Sequence, residues 1–221
     1  MAKKFREALT QDQLRILATF RKQPFGRLLF KDIQRLSNTR SNNMIQKALT
    51  KFKQLQLITQ ENVGDVTAYQ LNFANDITLI YLALIDQQEI RKNEAVFRVL
   101  QMTAQHVNKH TEFYIMLIFG SYAKGTATEQ SDIDVAVIVE TEEAKGNVKP
   151  ALNTARRKAL PPADFQAFSR SEFLEMLTNG EENVGKEIVR NSFIYYGAEA
   201  YYKILSKVLN ETPHQAIFGT R

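Results

Sequence analysis

Along the 221-residue chain the hydrophobic positions change period several times. From Thr10 to Phe20, Leu14, Leu17 and Ala18 recur at helical spacing, and Lys31–Leu36 is predicted as a short second helix. "SNTRSNN" then reads as a turn with several N-caps. Asn42–Leu55 follows as a third helix, with Ile45, Ala48, Leu49, Phe52 and Leu55 on one face. The period shortens at Leu57–Gln60 and Val66–Asn72, which flank "NVGD" and predict a hairpin. Asn75–Arg91 is apolar at first (ITLIYLALI), then polar, and has no Gly or Pro. It predicts a connecting helix whose wide apolar surface suits a second domain or, in a homodimer, a second subunit. Asn93–Lys109 is a further amphipathic helix, with Val96, Phe97, Leu100 and Ala104 inward.

Beyond residue 112 short strands and helices mix. Phe113–Phe119 is an apolar strand, "SYAKG" one helical turn and "TATEQS" a polar loop. Val135–Val139 reads as a buried strand and Asn153–Leu160 as a basic helix. "PPADFQAFS" carries a strand, "SRSEFLEML" a capped helix start, Glu182–Arg190 a helix, Phe193–Tyr196 a last strand and Ala198–Leu209 a closing helix. No internal repeat or low-complexity segment interrupts this order.

Charge divides the chain in the same place. Residues 1–75 hold 13 Lys/Arg against 5 Asp/Glu, whereas the remainder holds 16 against 19, together the net +5 of the whole chain. A basic excess in a small N-terminal unit is what binding to phosphate backbones requires. The absence of cysteine excludes disulfides and thiolate metal sites. No apolar run approaches the roughly 20 residues of a membrane helix, and "MAKKFREALTQ" lacks the apolar stretch of a signal peptide. The expected location is cytoplasmic, with no membrane partner.

The chemistry concentrates in "FGSYAKGTATEQSDIDVAVIV", Phe119–Val139. Gly120-Ser121 ends an apolar strand, where glycine lets backbone approach a ligand and the Ser121 hydroxyl adds a donor. Asp132 and Asp134 stand two apart at the next strand and so share a face. Two carboxylates side by side repel unless a cation offsets them, and oxygen ligands suit Mg²⁺, which also takes oxygens from nucleotide phosphates. His106 and His110 have two-histidine metal spacing. Val107 follows the first and no third ligand suggests itself, so they read as a solvated helix end.

Residues 10–73 (helix, helix, helix, two-stranded wing, closing at "YQLN") resemble a winged helix-turn-helix. By that resemblance the third helix enters the DNA major groove. Asn42, Asn43 and Gln46 would read base edges, while Arg40, Lys47 and Lys51 hold phosphates of duplex DNA. The same fold also serves as a dimerisation or docking module; the amide-and-lysine face favours DNA.

The string "GSYAKGTATEQSDIDVAV", with ten residues between Ser121 and Asp132, is similar to the signature of the polymerase-beta-type nucleotidyltransferases, in particular the small "minimal" ones. That resemblance covers roughly residues 93–209. Only Lys124 departs, where many members have arginine, and it keeps the charge. The resemblance implies a third metal carboxylate in an apolar-Asp-apolar triplet, for which Ala163-Asp164-Phe165 makes Asp164 the candidate. It also implies two Mg²⁺ ions on Asp132, Asp134 and Asp164, and a nucleoside triphosphate (NTP) held by Gly120 and Ser121, with Lys124 nearby. NMP, preferentially AMP, would pass to a protein or small-molecule hydroxyl; some members are antitoxins that adenylylate a partner toxin. The expected fold is α+β, a winged helix-turn-helix domain (1–75) joined by a helix (76–92) to a small mixed-sheet nucleotidyltransferase domain (93–221). The alternative function is a DNA-binding regulator that senses nucleotide without turnover.

Overall fold

Thr10 opens the first helix of the computed structural model, which describes residues 8–211. Its side chain accepts from the Gln13 amide while Gln13 accepts from the Thr10 N–H, a reciprocal cap that fixes where α1 (Gln11–Arg21) begins. The chain divides into two units, 1–85 and 86–221, with the boundary inside the long helix α4 (Asp76–Arg91). The ends of the expected domains, residues 1–7 and 212–221, lie outside the described residues.

In the first unit α1 is followed by β1 (Leu28–Leu29), α2 (Phe30–Ser37), α3 (Asn42–Gln54), β2 (Ile58–Val63) and β3 (Val66–Leu71). Asn38 ends α2 in the left-handed conformation, and Ser41 caps α3 through the Met44 amide. The strands form an antiparallel sheet ordered β1-β3-β2, with Leu28 opposite Tyr69 and Ile58 opposite Leu71. β1 is additional to the expected elements. The hairpin is also tighter than "NVGD" suggested, since Asn62 and Val63 remain paired and only Gly64-Asp65 make the turn. Ile16, Leu17, Phe20, Ile33, Ile45, Ala48 and Phe52 are wholly buried, so each of the three helices contributes an inner face. Asn75 donates to the Leu55 and Gln56 carbonyls just beyond α3 and ties the chain leaving the sheet to that helix.

The second unit runs α5 (Glu94–Val107), β4 (Tyr114–Phe119), α6 (Gly120–Lys124), β5 (Ile133–Val139), α7 (Glu142–Lys158), β6 (Ala163–Ser169), α8 (Arg170–Thr178), α9 (Val184–Arg190), β7 (Phe193–Tyr196) and α10 (Ala198–Glu211). Its sheet is ordered β6-β5-β4-β7. β5 is antiparallel to β4 and parallel to β6, and β7 is antiparallel to β4. A parallel pair needs a long crossover, and α7 supplies it. Met116, Ile118, Ile133, Val135, Val137 and Phe165 share one core with Val96, Leu100, Val148 and Ala155 of α5 and α7. Residues of the alternate register, Ile115, Leu117, Ala136 and Ile138, are buried too, and α8 and α10 pack on the sheet. Coverage of both faces explains why all six residues of β4 are buried and why the strand reads as an unbroken apolar run.

The observed α7 corrects the shorter helix expected at Asn153–Leu160. Thr141 caps it through the Ala144 amide, and it passes through Gly146 and Pro150 before ending at Lys158. Burial of Val148, Ala151, Leu152 and Ala155 outweighs the local cost of the two breakers.

Candidate active site

β4 delivers Gly120 to one end of the sheet, and β5 and β6 start from the same end. Asp134 lies opposite Phe119 on β4 and opposite Asp164 on β6. Register partners on neighbouring strands point to the same face, so Asp134 and Asp164 are side by side. Asp132, exposed, stands just before β5.

Gly120 turns from strand to helix with φ +65°, a left-handed conformation that only glycine adopts without strain. Its lack of a side chain has a second use. A Cβ at Gly120 would overlap Asp134 Oδ2 and lie 2.9 Å from Asp134 Cγ. The carboxylate therefore rests on the bare Cα of residue 120. Ser121 follows in the first turn of α6, partly exposed, and Gly125 closes that helix with φ +72°. The loop back to β5 is tied by the Tyr122 hydroxyl donating to the Ser131 carbonyl (3.4 Å) and by the Thr128 amide donating to Ser131 Oγ (2.9 Å).

Glu187, Arg156 and Gln166 complete the site, and none was marked by a motif. Lys124 Nζ is 2.6 Å from Glu187 Oε1, which brings α9 against α6. Arg156, from the last turn of α7, donates from one nitrogen to Asp164 Oδ1 and to the Phe165 carbonyl, both at 2.9 Å. Gln166 donates to Asp164 Oδ2 at 3.4 Å. Glu187 and Arg156 were not identified from the sequence, where each reads only as a charged residue of an expected helix.

Burial raises the pKa of Asp134 above its ordinary value. The negative charges of Asp164, Glu187 and Asp132 raise it further, and Lys124 opposes them. Four carboxylates thus converge on one end of the sheet, and an oxygen-only donor set of this kind matches a hard divalent cation. Asp132, Asp134 and Asp164 fit such an ion by donor chemistry and by the repulsion it would offset. Among the described residues, however, no group of three or more acidic or histidine side chains stands in ready metal-holding geometry. Asp164 is engaged by Arg156 and Gln166.

The histidine pair belongs elsewhere. His106 lies in the last turn of α5, its pKa lowered by desolvation and by Lys158 and Lys109. In the first unit Asn42, Asn43, Gln46 and Lys47 are exposed on α3, and Arg40 is exposed in the turn before it. Asn42 accepts from Gln34 Nε2 at 2.8 Å. Lys51 is half-buried on the same helix.

Residues 101–193 match the family model described as "Polymerase beta, Nucleotidyltransferase". The matched stretch holds Gly120, Ser121, Lys124, Asp132, Asp134, Asp164 and Glu187, and so spans the site. No curated protein and no solved structure matches the chain. No described helix is long and apolar enough to cross a membrane.

Two outcomes test the site's packing and charge. Gly120→Ala destabilises the protein in denaturant melts, through both the φ requirement and the overlap with Asp134. Adding Asp134→Ala removes the overlapping atoms and recovers part of the loss, so the two substitutions are non-additive. Asp134→Asn tests the charge. A folded-state pKa above the unfolded value means that the stability contributed by Asp134 is full at low pH and is lost as pH rises through the raised value. Without divalent cations the Asn variant melts above wild type at neutral pH. That advantage fades as pH falls toward the ordinary aspartate value of 3.8; a constant difference across this range would refute the charge repulsion.

Proposed function

We propose that the protein is a Mg²⁺-dependent nucleotidyltransferase that moves NMP from NTP to a protein or small-molecule hydroxyl, AMP being the group the family resemblance favours. The observation that carries this reading is the seating of the Asp134 carboxylate on Gly120. It sets the acidic end of the sheet directly against the turn whose backbone, Ser121 hydroxyl and Lys124 would hold the outer phosphates. Asp132, Asp134 and Asp164 would hold two Mg²⁺ ions, which requires Arg156 to release Asp164 Oδ1. Bound there, Mg²⁺ supplies charge neutralisation for the triphosphate and acidifies the acceptor hydroxyl. The acceptor hydroxyl gives its proton to solvent, its oxygen bonds to the α-phosphorus in line, the bond from that phosphorus to the bridging oxygen breaks, and pyrophosphate carries away the electron pair.

We assign duplex DNA to the first unit. Its order of helix, short strand, two helices and hairpin supports the winged-helix reading, and α3 presents an exposed face of amides and lysine. Asn42, Asn43 and Gln46 would face base edges, with Arg40, Lys47 and Lys51 on phosphates. The second reading, a DNA-binding regulator that holds nucleotide without turnover, is favoured by the Arg156–Asp164 pair, which ties up one of the three carboxylates.

Incubation with each α-labelled NTP, Mg²⁺ and host lysate separates the two. A labelled acceptor appears with wild type and is absent with Asp134→Asn, whereas a sensor retains unconverted nucleotide. Ser121→Ala removes one hydroxyl donor to a charged phosphate, worth about 1.5–3 kcal/mol. It lowers kcat/KM by roughly one to two decades without changing the melting point. For the first unit, affinity for duplex DNA falls steeply with salt, and the Lys47→Ala, Lys51→Ala double variant flattens the slope. Binding indifferent to salt identifies a docking module instead.

A further inference from the structure

The Lys124–Glu187 pair joins the turn of Gly120 and Ser121 to a helix contributed by a distant part of the chain, and α9 is firmly seated. Its N-cap Asn183 accepts from the Lys186 amide at 3.1 Å and donates to the Met176 carbonyl at 2.8 Å. The Lys186 side chain is buried, and its ammonium donates to the Asn179 carbonyl at 2.7 Å. Gly185 faces Met176 so closely that a Cβ would lie 2.7 Å from the methionine Cβ. Arg190 forms a two-pronged pair with Glu182 at 2.6 and 2.8 Å. α9 is therefore held by contacts of its own, and its Glu187 carboxylate is kept where its charge acts on Asp134. The single ammonium of Lys124 is paired with Glu187.

We propose that Glu187 is an internal anion of the polyphosphate subsite: it holds Lys124 aimed at the Gly120–Ser121 turn, surrenders it to the outer phosphates of an arriving nucleotide, and takes it back as pyrophosphate leaves. The inference rests on the phosphate-binding role given above to Gly120, Ser121 and Lys124. Both partners of the pair are about 40% exposed (41% and 39%). Solvated pairs of this kind contribute little to stability, so exchanging the carboxylate for a phosphate oxygen is easy in either direction. Glu187 acts through Lys124 and is a positioning residue. Its carboxylate competes with ligands that carry outer phosphates and is indifferent to one that does not reach Lys124.

Calorimetric titration with Mg²⁺-pyrophosphate, Mg²⁺-ATP and AMP tests this without turnover. Glu187→Gln should tighten binding of pyrophosphate and ATP by about threefold or more and leave AMP within a factor of about two. Glu187→Asp, which keeps the charge, should retain the wild-type order of affinities. Lys124→Gln, a second route at an exposed position, should weaken pyrophosphate and ATP and spare AMP. Unchanged or weaker pyrophosphate binding by a Glu187→Gln variant with the wild-type melting point overturns the inference alone. If wild type binds neither ATP nor pyrophosphate, the phosphate-subsite reading falls and the inference with it.

Discussion

A carboxylate resting on a bare Cα is the constraint around which the second unit is arranged. Gly120 must be glycine twice over, once for its backbone angle and once because Asp134 fills the space a side chain would take. That apposition goes with one register, in which Asp134 lies opposite Phe119 on β4 and opposite Asp164 on β6. It also sets a half-buried negative charge at the start of α6, among others of the same sign. The energetic tension expressed in the raised pKa of Asp134 is then a property of the sheet's geometry.

Much of this was legible in the sequence because its causes are local. The apolar runs of β4 and β5, the Gly-Ser turn and the two-residue spacing of Asp132 and Asp134 each have a pattern of their own. Asp164 was reachable only by resemblance, and the structure brings it beside Asp134 through strand pairing across a crossover. The two elements misjudged failed for opposite reasons. β1 is two residues long and too short to have a period. α7 has a helical period but contains Gly146 and Pro150, whose local preferences are overridden by the core beneath.

Two of the side chains that no motif announced act across elements. Arg156 reaches Asp164 from the end of a helix, and Glu187 reaches Lys124 from another. An isolated arginine or glutamate on a helix is among the commonest features of any sequence. Only the meeting of the two elements gives either of them a task, and that meeting depends on packing made elsewhere in the unit.

The buried ammonium of Lys186 gives α9 an unusual kind of anchor. An apolar contact tolerates sliding, since one methyl group replaces another at little cost. A charge donated to one carbonyl does not, because a shift of an ångström or two would leave it desolvated and without an acceptor. Sliding of the helix is thereby opposed by a bond with a single acceptor. The meeting of Glu187 with Lys124 thus depends in part on a second lysine, on the same helix as Glu187.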